Sequence, residues 1–325
     1  MTTARVVPVT TEMDGDELDA ADAWHLGRRI GLRRLALDAF VRFRYADGFS
    51  HSRALAFQMA LGVVPFLLAL SGLAAGIDQR RPARVLAKTI EMVSPGGGAH
   101  DALAAAVSGR QSSDRASDIA LSVGLVFSVL SMTTAMAQIE RGTNRIYGIG
   151  RDRRAVLKYG RALVLTALLA VPVGLTFLLL VAGGSFAAAM QDEYGWSDTV
   201  ALAWNIGRWP CGLILLVLTI AVLLDHAPRR RQPALSWLAL GAGIAVTLSM
   251  LATAGLAAYV HLSGSFGATY GPLGGMFALL LWSLLSSIAL FAGAAVSAQL
   301  EFLRAGQRTP VLEDPGPPPT HTVDG

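Results

Sequence analysis

Apolar positions in this chain fall in blocks. Six segments, residues 54–76, 117–139, 160–183, 201–224, 235–260 and 272–300, are nearly continuous runs of Leu, Ala, Val, Ile, Gly and Phe, and charge is concentrated in the short stretches between them. A helix rising 1.5 Å per residue needs roughly 20 apolar residues to cross a hydrocarbon layer about 30 Å thick, and the six segments meet or approach that length. The pattern predicts an all-α fold, a polytopic membrane helical bundle of six transmembrane helices. The fourth segment is strongly apolar only after Trp209. Reading it back to Ala201 puts Arg208 and Trp209 at headgroup level and leaves Pro210 where the freed backbone group can find another partner.

Ahead of the first segment, Trp24 to Tyr45 mixes Leu26, Ile30, Leu37, Phe40 and Val41 with Arg28, Arg29, Arg34, Arg42 and Arg44. This predicts one helix over residues 24–47 lying in the membrane interface, its arginines on anionic headgroups and Arg33 on the wrong side. Residues 1–22, with Glu12, Asp14, Asp16, Glu17 and Asp19, have no core of signal-peptide length and read as a disordered acidic tail. Residues 304–325, with Pro315-Gly-Pro-Pro-Pro319, read as a disordered proline-rich tail. Between them, residues 23–303 form one membrane domain.

Charge sets the expected orientation. Lys and Arg number seven in residues 25–53, six in 77–116, seven in 140–161, one in 184–208, three in 225–234 and none in 260–271. Basic connections face the cytoplasm, so both termini are expected there. Arg80, Arg81, Arg84 and Lys88 oppose this from the first outer connection and are outvoted.

Composition narrows the function classes. Hydrophobic residues are 53% of the 325 and charged residues 15%, the balance of a membrane protein and not of a soluble domain. The net charge of +4 sits in clusters beside the apolar blocks with no basic face or interleaved aromatics, so no nucleic-acid partner is expected. The single Cys211, inside an apolar run, reads as a small buried hydrophobe. The six histidines, His25, His51, His100, His226, His261 and His321, are too scattered for a metal site, and no phosphate-binding Gly-Lys-Ser/Thr loop exists. Hence no catalytic residue, metal or cofactor is expected, and an acid or His deep in a span, the usual mark of proton coupling, is absent from the pattern. Glu140 falls at a helix end.

At 100° per residue, three helices show informative faces. In the first span Ala54, Gln58, Gly62, Pro65, Ala69, Gly72 and Gly76 share an arc of about 80°, a small-residue surface for close packing with a kink at Pro65. In the last, Gly271, Gly275, Ala278, Ser286, Ala289, Gly293 and Ser297 share an arc of about 100° around Trp282. Ahead of it, Tyr270 reads as an interface anchor, and Gly271 with Pro272 as a hinge at the helix entry. In the second, Ser131, Thr134, Gln138, Arg141 and Arg145 form a polar stripe, with Asn144 beside it and Gln58 as a plausible partner. An Arg at mid-bilayer costs roughly 2.5 to 3.5 kcal/mol on insertion scales, so the stripe should face the bundle interior or a wet cavity, or its arginines should snorkel to the interface.

Three stretches carry a resemblance: Arg53-Ala-Leu-Ala-Phe-Gln-Met-Ala-Leu-Gly-Val-Val-Pro65, Ala137-Gln-Ile-Glu-Arg-Gly-Thr-Asn144-Arg-Ile-Tyr147, and Ser265-Phe-Gly-Ala-Thr-Tyr270-Gly271-Pro-Leu-Gly-Gly with Leu281-Trp282 and Gly293. From about residue 35 to 303 the chain resembles the YihY/BrkB family of bacterial inner-membrane proteins. The resemblance implies six helices, a link to envelope integrity, suggested roles in envelope-lipid transport, and an old ribonuclease BN label regarded as a misassignment. Members commonly read Gly-Ala-Glu-Leu-Asn in the last helix. Here Gly293-Ala-Ala295-Val-Ser297 stands there, without the carboxylate, and Glu301 lies two turns on. Two functions follow as expectations. One is transport or flipping of an anionic lipid or lipid-linked precursor, with headgroups drawn to Arg141, Arg145, Arg151, Arg153, Arg154 and Lys158. The other is a structural scaffold, a homo-oligomer or a partner of other envelope machinery.

Overall fold

The computed structural model describes residues 5–12, 19–76, 85, 89, 114–262 and 274–313. Its helices are α1 (Ala20–Ile30), α2 (Leu32–Tyr45), α3 (Gly48–Gly76), α4 (Asp114–Ile146), α5 (Ala155–Phe177), α6 (Gly183–Tyr194), α7 (Asp198–His226), α8 (Leu235–Leu262) and α9 (Gly274–Arg304). A π-helical segment, Leu178–Ala182, joins α5 to α6 without a break in the rod. Two short strands, β1 (Arg5–Val6) and β2 (Leu312–Glu313), pair antiparallel. Among the described residues five segments are long and apolar enough to cross a membrane: Ser122–Ile146, Ala155–Tyr194, Asp198–His226, Leu235–Leu262 and Gly274–Arg304. They coincide with the second to sixth expected spans, and α3 is helical throughout the expected first.

Local chemistry sets several ends. Asp19 caps α1 by accepting from Asp22 N at 2.8 Å. Gly31, at φ 93°, then breaks the chain between α1 and α2, so the single helix expected over 24–47 is two. Only glycine adopts that backbone cheaply. Gly195, left-handed at φ 68°, closes α6, and Ser197 caps α7 by accepting from Val200 N at 3.4 Å.

The long helices close a ring: α3 packs on α4, α4 on α5, α5 on α7, α7 on α8, α8 on α9, and α9 back on α3. The ring tapers. Every residue of α9 from Gly293 to Phe302 is buried, whereas its second to fourth residues, Gly275, Met276 and Phe277, are exposed. In α8 the buried positions end at Val246, and in α4 Glu140, Gly142, Thr143, Asn144 and Ile146 are buried while Leu125, Val126, Phe127 and Leu130 are exposed. The core therefore sits at one end, the closed end, where α3 and α8 begin and α4, α7 and α9 finish. Exposed Leu163, Leu168, Val171, Ile206, Ile214 and Leu218 on α5 and α7 fit a chain whose solvent is lipid.

Close approach at the closed end rests on glycine. A Cβ on Gly241 would meet Gly293 O at 2.7 Å, and one on Gly293 would meet Ala245 Cβ at 2.7 Å, so α8 and α9 touch backbone to backbone. Gly142 of α4 likewise lies flat against the Phe291 ring.

Four expectations need correction. Cys211 is exposed on α7 and not buried, because the helix turns that face outward. Gly275 lies outside the packed part of its arc, which the taper leaves exposed. Arg42 is not on headgroups but fully buried, on one face with Leu35, Ala39 and Phe43. The tails are ordered in part: β1 joins β2, and Val7 and Thr10 are buried because backbone and side-chain bonds tie that arm to the bundle.

Candidate functional site

The polar stripe of α4 runs along the seam with α3. The Thr134 hydroxyl lies 3.0 Å from Gln58 Oε1, Gln138 Nε2 lies 3.0 Å from His51 Nδ1, and Ser131 faces Gly62, where an added Cβ would sit 3.5 Å away. Gln58 is thus brought to the stripe as the helical arcs suggested, and hydrogen bonds between helices replace water that lipid cannot supply. Pro65 lies within α3, which continues through it. Burial holds the His51 imidazole below its usual value, helped by Arg141 and Arg145 against the opposing pull of Asp47.

Arg141 and Arg145 leave that seam and stay exposed at the closed end. Arg141 Nε donates to Asp152 Oδ2 at 3.1 Å, and Arg145 Nη1 donates to Gly150 O at 2.9 Å. Asn144, fully buried, accepts from Arg229 N at 2.7 Å and places Nδ2 3.5 Å from Asp152 Oδ1. Asp152 is a hub, since buried Lys158 Nζ donates to it at 3.0 Å as well. Partial burial raises the Asp152 carboxyl, but bonds from Lys158, Arg141 and Asn144 outweigh it and hold the group below its usual value. Glu140, expected only as a helix-end acid, is buried and paired with Arg153 Nη1 at 2.7 Å.

A second cluster was not singled out in the sequence. Arg230, from the α7–α8 connection, places Nη2 2.8 Å from Glu301 Oε2, and the two side chains are 3% and 0% exposed. The Arg230 guanidinium carbon lies 4.7 Å from the Tyr147 ring centre, and that of Arg42 lies 5.0 Å from the Phe302 ring centre. Arg42 Nε donates to Ile146 O at 2.8 Å. Burial pulls Arg42 down to about 10, partly offset by Tyr147 and Glu301, so it remains a cation at neutral pH. Burial and the Glu301 carboxylate push the Tyr147 hydroxyl well above its ordinary value, so it stays protonated. Two buried cations therefore meet one buried acid where α2, α4 and α9 converge. The available signal was positional: Glu301 extends the Gly293 and Ser297 arc by one turn, and Arg42 lies on the Leu35, Ala39 and Phe43 face.

Of the packing residues, Gly293 sits in the α8 contact, and Trp282 Nε1 donates to Thr253 Oγ1 at 3.1 Å between α9 and α8. Tyr270, Gly271 and Pro272 lie outside the described residues. Ala295 and Ser297 are fully buried. Among the described residues no group of three or more His, Cys, Asp or Glu side chains could hold a metal ion. What the closed end offers chemically is fixed cation donors for an oxyanion.

Comparison with known proteins finds relatives of this chain. A ribonuclease-like protein of Bacillus subtilis, YfkH, is 26% identical over 263 residues, covering 81% of this chain and 94% of that protein. A UPF0761 membrane protein of Chromohalobacter salexigens is 27% identical over 272 residues, 80% of this chain but 61% of that longer protein. No solved structure matches. The sequence profile described as Virulence factor BrkB matches residues 39–314, most of the chain, and the chain belongs to that membrane-protein family.

Proposed function

We propose that the protein is a six-span protein of the bacterial inner membrane, with both termini in the cytoplasm, that carries or flips an anionic lipid or lipid-linked envelope precursor. The observation that supports this best is the taper. A ring packed solidly at one end and loose at the other lines its α3–α4 seam with half-buried polar groups, Gln58, Ser131, Thr134 and Gln138, and carries a rim of exposed cations, Arg141, Arg145, Arg151 and Arg154, at the closed end. In this reading the basic closed end faces the cytoplasm, the rim collects anionic headgroups, and the packed core is the gate that must part for passage.

The test replaces Arg141 and Arg145 by Gln in protein that still inserts, and measures both bound anionic lipid in the purified protein and envelope function in cells. Loss of both supports the reading. Retention of both, combined with failure on truncating residues 1–22 or 305–325, favours a scaffold that works through its tails.

A further inference from the structure

We propose that the buried guanidinium pair of Arg42 and Arg230 is a binding site for a phosphate-type oxyanion, and that residues 8–11 of the chain occupy it as an internal stand-in. The arm that carries these residues has no helix and one buried apolar anchor, Val7, in the core, while Val9 is 65% exposed. Oxygens hold it down. Arg42 Nη2 donates to Thr10 Oγ1 at 2.6 Å and to Pro8 O at 3.0 Å, and Arg230 Nη2 donates to Thr11 O at 3.2 Å. Thr10 N donates to Tyr147 O at 3.1 Å, and Gly148, at φ 79°, presses so close to Pro8 that any Cβ would strike the Pro8 carbonyl.

The three oxygens that the arm places on the guanidinium groups are neutral, which is a poor match for what they cover. Arg42, Arg230 and Glu301 together leave one positive charge uncompensated, and such a charge is expensive to bury. Among the described residues Arg42 pairs with no carboxylate, and neither Arg42 Nη1 nor Arg230 Nη1 has an acceptor. Two fixed, planar donor forks with spare N–H groups, converging on oxygens of successive residues, suit a tetrahedral oxyanion. A phosphate group would replace the arm's oxygens and supply the missing negative charge. The arm can yield because it is short and its other ties are few: Val7 in the core, the Thr10 N–Tyr147 O bond, Glu12 Oε1 accepting from Arg231 N at 3.4 Å, and a two-residue strand pair. This site does not require that the protein move lipid.

The experiment uses the full chain with Cys211→Ser and Val9→Cys, spin-labelled at residue 9, in nanodiscs. Inorganic phosphate is titrated into phosphatidylcholine discs, and separately the discs are made with phosphatidic acid; sodium chloride at matched ionic strength is the control. The expected result is a mobile label. Release by phosphate identifies a soluble source, release only in phosphatidic acid discs identifies a headgroup, and release by neither, or equally by chloride, overturns the proposal. Arg42→Gln should abolish the response. Should that variant fail to assemble, Thr10→Val removes only the arm's hydroxyl ligand and should lower the half-saturating concentration about tenfold or more. An unchanged value overturns the proposal equally.

Discussion

Replacing Glu301 by Gln should unlatch the closed end. The carboxylate is 2.8 Å from Arg230 Nη2, and the two side chains are 0% and 3% exposed, so solvent cannot take over the lost charge. Removing one partner of a buried pair typically costs 3–5 kcal/mol, roughly, because the other charge stays buried without compensation. The expectation here is toward the upper part of that range, since Arg42 shares the same acid at longer distance. Gln conserves volume, so a cavity contributes little. Unfolding by SDS titration in mixed micelles, followed by tryptophan fluorescence, to which Trp237, fully buried in the same core, contributes, gives the free-energy change. The double variant Glu301→Leu with Arg230→Met should recover most of the loss, because an apolar pair of similar bulk often equals a buried ion pair. A loss below about 1 kcal/mol for Glu301→Gln, or a double variant no better than the single, would refute the view that this pair holds the end together.

Two further outcomes can be checked in the same preparation. Gly241→Ala should destabilise the bundle by about 1–3 kcal/mol, since its Cβ would run into the Ser297 side chain and approach Gly293 O, and Ser297→Ala should recover part of it. Acid should open the Asp152 hub: its carboxyl is held below 3.8, so its stabilising contribution is present above that value and is lost as pH falls through the lower folded value. Hydrogen exchange over residues 148–158 should rise only in that acid range, whereas Asp152→Asn should exchange fast at neutral pH and show no such transition.

The helices that lipid must surround were legible because length and apolarity are set by the bilayer and need no partner. The second to sixth segments match helices of the structure, each extended past the apolar run by polar turns such as Asp198–Val200. The sequence also pointed to Gln58 as a partner of the α4 stripe, though not to Thr134 in particular, whose hydroxyl it meets at 3.0 Å. It failed where partners are remote. Arg42 reads as a headgroup arginine until Ile146, 104 positions away, supplies a carbonyl for it. The arm at residues 5–12 is held by Val7 and the Thr10 hydroxyl together with backbone carbonyls and amides, and the backbone share leaves no trace in a side-chain pattern. The taper is equally silent in sequence, since a small-residue face such as that of Gly275 and Gly293 continues along the whole helix while only its last part is packed.

The glycine contact between α8 and α9 has the geometry of a fulcrum. Beyond Gly241, α8 continues for 21 residues to Leu262, a lever of roughly 31 Å at 1.5 Å per residue. A swing of about 10° at the contact would carry the far tip about 5 Å, half the usual 8–10 Å spacing between packed helices. Side chains at the pivot would shift by less than a bond length over the same swing. A lateral opening at the loose end must therefore break the Trp282 Nε1–Thr253 Oγ1 bond, 12 residues beyond the pivot, but needs little rearrangement of the core.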